Sequence, residues 1–167
     1  MRTTFAKGFV KLLWLAVVCT SPVVRAETTV DVVGTWTLVA SVAENNGVRR
    51  EQFGPGANGM LVLDESGHFM LTIIGSQLPT FASGNRAQAT TEESKAVVAL
   101  TIAMIGRYSI DAHDKTLTFH VDASTFPNWT GTTQKRLIVM ATHEALEYIT
   151  PTASSGGVGR VSWSRLR

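Results

Sequence analysis

Apolar and polar residues alternate along most of the chain with a period of two, as in strands that bury one face and expose the other. In residues 34–42, Trp36, Leu38, Ala40 and Val42 fall on one side, and Thr35, Thr37 and Ser41 on the other. Asn46-Gly47 follows, a hairpin signal because both residues tolerate positive φ, and 48–53 reads as the returning strand. Residues 59–64 and 68–75 form a second hairpin about Glu65-Ser66-Gly67. Their apolar positions are adjacent as well as alternate, which predicts cover on both faces. Further strands are predicted at 107–111, 115–122, 133–141, 146–150 and 158–166, with turns at 112–114, 143–144 and 154–157 separating most of them.

The alternation stops at residues 76–90, a polar, proline-containing loop. Loops of that length are uncommon unless they carry function, so lid behaviour is an expectation. Thr90 and Glu93 then stand at capping-box spacing, where a hydroxyl and a carboxylate satisfy the orphan amides of a helix start. Val97, Leu100, Thr101 and Met104 share one side of the helix this predicts, which is β-branched enough to need packing. The sum is about eight or nine strands and one helix. The predicted fold is an all-β antiparallel barrel with the helix as lid or plug, because closure removes exposed strand edges.

Parity then sorts side chains into the barrel. Leu117, Phe119 and Val121 share a face, as do Ile138 and Met140, Leu146 and Tyr148, and Val161 and Trp163. Extending those alternations places Arg136 and Arg165 on the same inward side. A buried guanidinium needs an acid, carbonyls, an aromatic face or a ligand anion.

Composition bears on compartment. Residues 1–26 hold Arg2, Lys7, Lys11 and Arg25 with no acid, an apolar run LLWLAVV at 12–18, and Val24-Arg25-Ala26. That is the pattern of a secretory signal peptide cleaved after Ala26, and the run is too short for a membrane span. The expected division is therefore a leader at 1–26 and one domain at 27–167, secreted or periplasmic. The leader holds the only cysteine, Cys19, with Val18 before it disfavouring lipidation, so no disulfide framework is expected in the mature chain. Removing the leader's four bases from 15 leaves 11 against 13 acids, a net charge of −2. Nucleic acid is thereby a poor partner. With 44% hydrophobic and 17% charged residues the chain is too apolar for disorder.

Gly34-Thr35-Trp36 opening the first strand, with Arg165 near the end of the last, resembles the lipocalin pattern. There a tryptophan crosses the closed end of the barrel beneath a basic residue, the role the resemblance gives Trp36 and Arg165. A closer resemblance spans residues 31–166. It is carried by GTWTLVA (34–40), FGPGANGMLVLDESGHFML (53–71), LPTFASGNR (78–86), TTEESKAVV (90–98) and GRYSIDAHDKTLTFHVDASTFPNWTGTTQKR (106–136). These segments are similar to the small lipocalin-like domain family of bacterial and fungal proteins. The resemblance implies a barrel with a cavity for a small apolar ligand, and no settled activity.

The candidate ligand-binding residues are Trp36, Tyr108, Phe119, Ile138, Tyr148 and Trp163 as apolar walls, Trp129 at the mouth, and Arg136 to orient an anionic end. Arg86 and Arg107 are weaker candidates. The expected partner is a small hydrophobic or amphipathic molecule; no cofactor is expected. Two other readings stay open: an isomerase or hydrolase using His120 or Tyr108 as acid/base, and a filled barrel that binds proteins through its exterior. His120 and Asp122 are two apart on a strand and so share a face, although parity sets His120 outside. His68, His113, His120 and His143 show no metal-ligand spacing, and no Gly-x-Ser-x-Gly elbow is present. Asn128-Trp129-Thr130 is formally a glycosylation sequon, a short match of little weight.

Overall fold

The computed structural model describes residues 31–167; the leader read over 1–26 lies outside the described residues. Nine strands form: β1 (Gly34–Asn45), β2 (Val48–Glu51), β3 (Asn58–Leu63), β4 (His68–Ile74), β5 (Thr101–Asp111), β6 (Thr116–Ser124), β7 (Thr133–Ala141), β8 (Ala145–Thr150) and β9 (Val158–Arg165). The one helix among the described residues, α1 (Thr91–Leu100), stands between β4 and β5. Neighbours follow the order β2-β1-β3-β4-β5-β6-β7-β8-β9, and β1 also pairs with β9. Eight strands thus close into a barrel, with β2 as an appendage. Closure depends on the length of β1. One edge serves β3 over Gly34–Thr37 and β2 over Val42–Asn45, while the other runs along β9.

Three register shifts reset the alternation that the sequence suggests. In β1 the pairing with β9 slips between Leu38 and Ala40, leaving Val39 as the extra residue. Ala40 is therefore exposed and Ser41 and Ala43 are buried, the reverse of the even-numbered face expected from simple alternation. A second slip, between Ile138 and Met140 in β7, keeps Ile138 inside and turns Met140 out, which corrects the expected inward pair. The third lies between Ile105 and Gly106, where Asp122 of β6 is unmatched.

The helix is also shorter than its periodicity suggests. Thr101 and Met104, expected on its apolar side, belong to β5, where they pair with Ile74 and Leu71 of β4. An open strand edge offers Thr101-Ile102 a ladder of hydrogen bonds that β-branched residues fill better than another helical turn. Thr101 Oγ1 donates to the Val97 carbonyl at 2.7 Å, tying off the last turn. At the other end the capping box is complete: the Glu93 amide donates to Thr90 Oγ1, and the Thr90 and Ala82 amides donate to the Glu93 carboxylate. No residue of α1 is buried, so local bonds rather than packing hold it.

The turns at 64–67, 112–115 and 142–144 gather at the closed end with Gly34 and Arg165. The 52–57 turn, α1, the β6–β7 loop and the β8–β9 loop surround the opposite mouth. Large side chains fill the closed half: Trp36, Leu61, Leu63, Phe69, Leu117, Phe119, Leu146 and Trp163 form one buried cluster. Phe119 packs on Phe69 with centroids 4.4 Å apart and meets the Tyr148 ring edge-on at 6.4 Å, forming a floor across the barrel.

Candidate functional site

At the closed end the chemistry is structural. Trp36 is fully buried, its Nε1 donating to the Val32 carbonyl at 2.9 Å. The Arg165 guanidinium stands 4.1 Å from the Trp36 ring centroid, inside cation–π range. It also donates to the carbonyls of Val33, His143 and Asp31, so the charge is well spread over acceptors. Gly34, at φ +141°, makes room for it: a Cβ there would collide with Nη1 of Arg165.

At the mouth end the other inward arginine has a different fate. Arg136, on β7, is only 3% exposed, and its Nη1 donates to the Lys135 carbonyl at 2.9 Å. Its guanidinium lies 5.6 Å from the Phe119 ring and 5.5 Å from that of Trp129. Among the described residues no carboxylate pairs with it. Burial pulls its pKa below the ordinary arginine value, but a guanidinium starts so high that it stays charged at neutral pH. Beside it the Tyr148 phenol is pushed up to about 12 by burial, with Arg136 opposing that shift, so it stays a neutral donor. Both face a partly open cavity of about 40 Å³ bounded by Leu71, Ile73, Ile102, Met104, Trp129 and Val161, with Phe53 at its edge. That holds roughly three waters.

Closed antiparallel barrel, Gly-x-Trp opening and Trp36–Arg165 stack are the pattern of the lipocalin-like domain, whose family model matches residues 33–165. The chain belongs to the lipocalin-like domain family. No curated protein matches it.

Within this lipocalin-like barrel the sequence-derived candidates separate by height. Trp129, Arg136 and Tyr148 border the cavity. Phe119 lies beneath Arg136 as floor, and Ile138 is buried in the wall. Trp36 and Trp163 sit in the filled core, away from the cavity. Tyr108 donates its hydroxyl to the Asp64 carbonyl at 2.8 Å near the closed end, where burial raises its pKa. Trp129 ends a short 3-10 turn at Pro127–Trp129, packs edge-on against Phe126 at 5.5 Å and lines the cavity.

Other candidates stand apart from the cavity. His120 is exposed on the outer face, its ring nitrogens 3.4 Å from the hydroxyls of Ser109 and Thr133, and Asp122 occupies the bulge. The barrel therefore brings His120 and Tyr108 to no common site. His113 pairs with Asp114 in an exposed turn beside Asp111, and the Asp114 carboxylate raises its pKa. Arg86 and Arg107 are exposed.

Alternation alone misses several mouth residues. Ser41 reaches the cavity because of the Val39 bulge, and it donates to Gln52 Oε1 at 2.9 Å. Gln52 and Phe53 lie beyond the end of β2, in a turn rather than in the strand expected over 48–53. The run Gly54-Pro55-Gly56 was the available signal that the strand stops early.

Proposed function

We propose that this lipocalin-like protein is exported and binds a small amphipathic molecule at the mouth end of its barrel, with an acidic group against Arg136. The observation that carries this reading is a buried, charged guanidinium that has no acid partner among the described residues and faces a cavity. Burying such a charge costs several kcal/mol, and a ligand anion is the partner that would offset it. Tyr148 supplies a second, neutral donor, and Trp129 and Ile102 supply apolar walls. Export rests on the charge and hydropathy pattern of residues 1–26.

Native mass spectrometry of protein taken from the exported fraction, before and after denaturing extraction, tests both parts. The expected results are a chain beginning at Glu27 and a reproducible small-molecule adduct released by unfolding. A chain in that fraction that keeps its first 26 residues refutes cleavage after Ala26, and absence of the protein from the fraction refutes export. Absence of an adduct, together with no uptake of fluorescent fatty-acid probes, refutes the carrier reading. A second reading, a filled barrel working through its exterior, draws on the small interior volume of about 40 Å³. It expects no dependence of binding on Arg136.

A further inference from the structure

The space around Arg136 is too small to hold a whole ligand. At about 40 Å³ it falls well short of the several hundred Å³ usual for a small-molecule site. A second space of about 390 Å³ lies just outside, between α1, the β6–β7 loop and the β8–β9 loop. Its walls include Val97, Val98, Ala99 and Phe126. The two spaces meet at Gln52, Phe53, Ile102 and Ser154, which border both. Phe53 and Ile102 are the apolar side chains of that partition. Ile102 is fixed in β5 by pairing with Ile73. Phe53 is buried against the core cluster but is not in a strand: its neighbour Gln52 bonds Ser41 at 2.9 Å and Ser155 at 3.0 Å, and Gly54 and Gly56 follow at positive φ.

We infer that the ligand is an apolar monocarboxylate whose acid group meets Arg136 and whose tail lies in the outer groove, and that Phe53 is the gate it must displace. This rests on the anion-site reading above. Charge selects the class. Arg136 is the only charged side chain lining either space among the described residues, so the site balances one negative charge. A carboxylate carries one, and a phosphate monoester carries more. The groove selects the tail. Val98 is 76% exposed beside it, on a helix that buries none of its residues, so an apolar chain laid there covers surface the protein leaves open.

The test is calorimetric titration of the mature protein with acetate, butyrate, octanoate and decanoate, with stopped-flow association for octanoate. Affinity is expected to rise steeply from butyrate to octanoate. Val98→Asn removes groove contact without adding charge, and is expected to weaken octanoate and decanoate roughly five- to tenfold while leaving butyrate unchanged. Phe53→Ala is expected to speed octanoate association at least tenfold and Phe53→Trp to slow it. Phe53→Leu, which keeps more of the packing, is expected to move the rate in the same direction as alanine. Arg136-dependent binding that is flat beyond butyrate and indifferent to Val98→Asn and Phe53→Leu overturns this inference and leaves the anion site standing. Failure of every carboxylate to bind the wild type and both smaller Phe53 variants overturns both.

Discussion

Replacing Arg136 by Met asks whether the barrel keeps that charge for stability or for a ligand. Desolvating the guanidinium costs several kcal/mol even after relaxation. Against that stand one charged hydrogen bond, to the Lys135 carbonyl at 2.9 Å, contributing roughly 1.5–3 kcal/mol. Two aromatic faces at 5.6 and 5.5 Å lie near the limit of cation–π attraction and add roughly 0.5–1 kcal/mol each. The compensation at best matches the cost. A methionine removes both and restores roughly 1.5–3 kcal/mol of apolar burial in a site walled by Phe119, Trp129 and Tyr148. Ligand-free Arg136→Met is therefore expected to range from unchanged to about 2 kcal/mol more stable. For a domain of this size that is a rise in Tm of up to about 8 °C. Urea unfolding with an unchanged m value reads it directly. Octanoate at a hundredfold excess over its Kd is expected to stabilise the wild type by about 2.7 kcal/mol and the variant not at all. A variant that loses more than about 3 kcal/mol without ligand refutes the reasoning, since Arg136 would then be holding the fold together.

Further outcomes are expected at the closed end, at the helix cap and at Tyr148. Arg165→Ala loses the Trp36 stack and the carbonyl bonds at the closed end, and is expected to cost about 2–4 kcal/mol in urea unfolding; Gly34→Ala is also expected to destabilise, because its Cβ would occupy the guanidinium's place. Thr90→Ala breaks the capping box and is expected to cost about 1 kcal/mol, with loss of helical circular dichroism. The backbone amides of Ala82 and Thr90 hold the Glu93 carboxyl below its ordinary value of 4.5. That support is present above this value and lost as pH falls through the lowered folded one, so the protection of the Ala82 amide against exchange, relative to its intrinsic rate, is expected to fall only in acid. Burial raises the Tyr148 phenol from an ordinary value of 10 to about 12. Its contribution to stability is full below pH 10 and lost between there and about 12, and with two tyrosines in the chain a phenolate absorbance titration resolves the late step.

The sequence made the barrel legible because most strands carry a period-two pattern and real turn chemistry, and Asn46-Gly47 and Ser66-Gly67 both lie at the turns the structure forms. It failed wherever one inserted residue shifts the count. Val39 is the clearest case: nothing in TLVAS marks a bulge, and every inward assignment after it reverses until the strand ends. The end of α1 was hidden for a related reason. Thr101 and Met104 fit a helical stripe as well as a strand, and only the free edge of β4 decides between them. Arg136 was legible as an inward cation because no bulge separates it from Ile138. Phe53 was not, since its position above the cavity depends on how the 52–57 turn folds over the mouth.

The two inward arginines carry the argument from fold to function. Both sit on strand positions that parity turns inside, and both lie against a tryptophan ring. Arg165 has, in addition, carbonyl acceptors from three residues, and a glycine whose missing side chain makes its seat. A charge so fully met has no capacity left for a ligand, and it is placed where the barrel is filled. Arg136 has one carbonyl, two distant ring faces and an open cavity edge. The same side chain is thus a structural clamp at one end and an unmet demand at the other. Substitution is expected to move stability downward at position 165 and level or upward at position 136. A loss of stability at position 165, set against none or a gain at position 136, is what separates a residue kept for the fold from one kept for a partner.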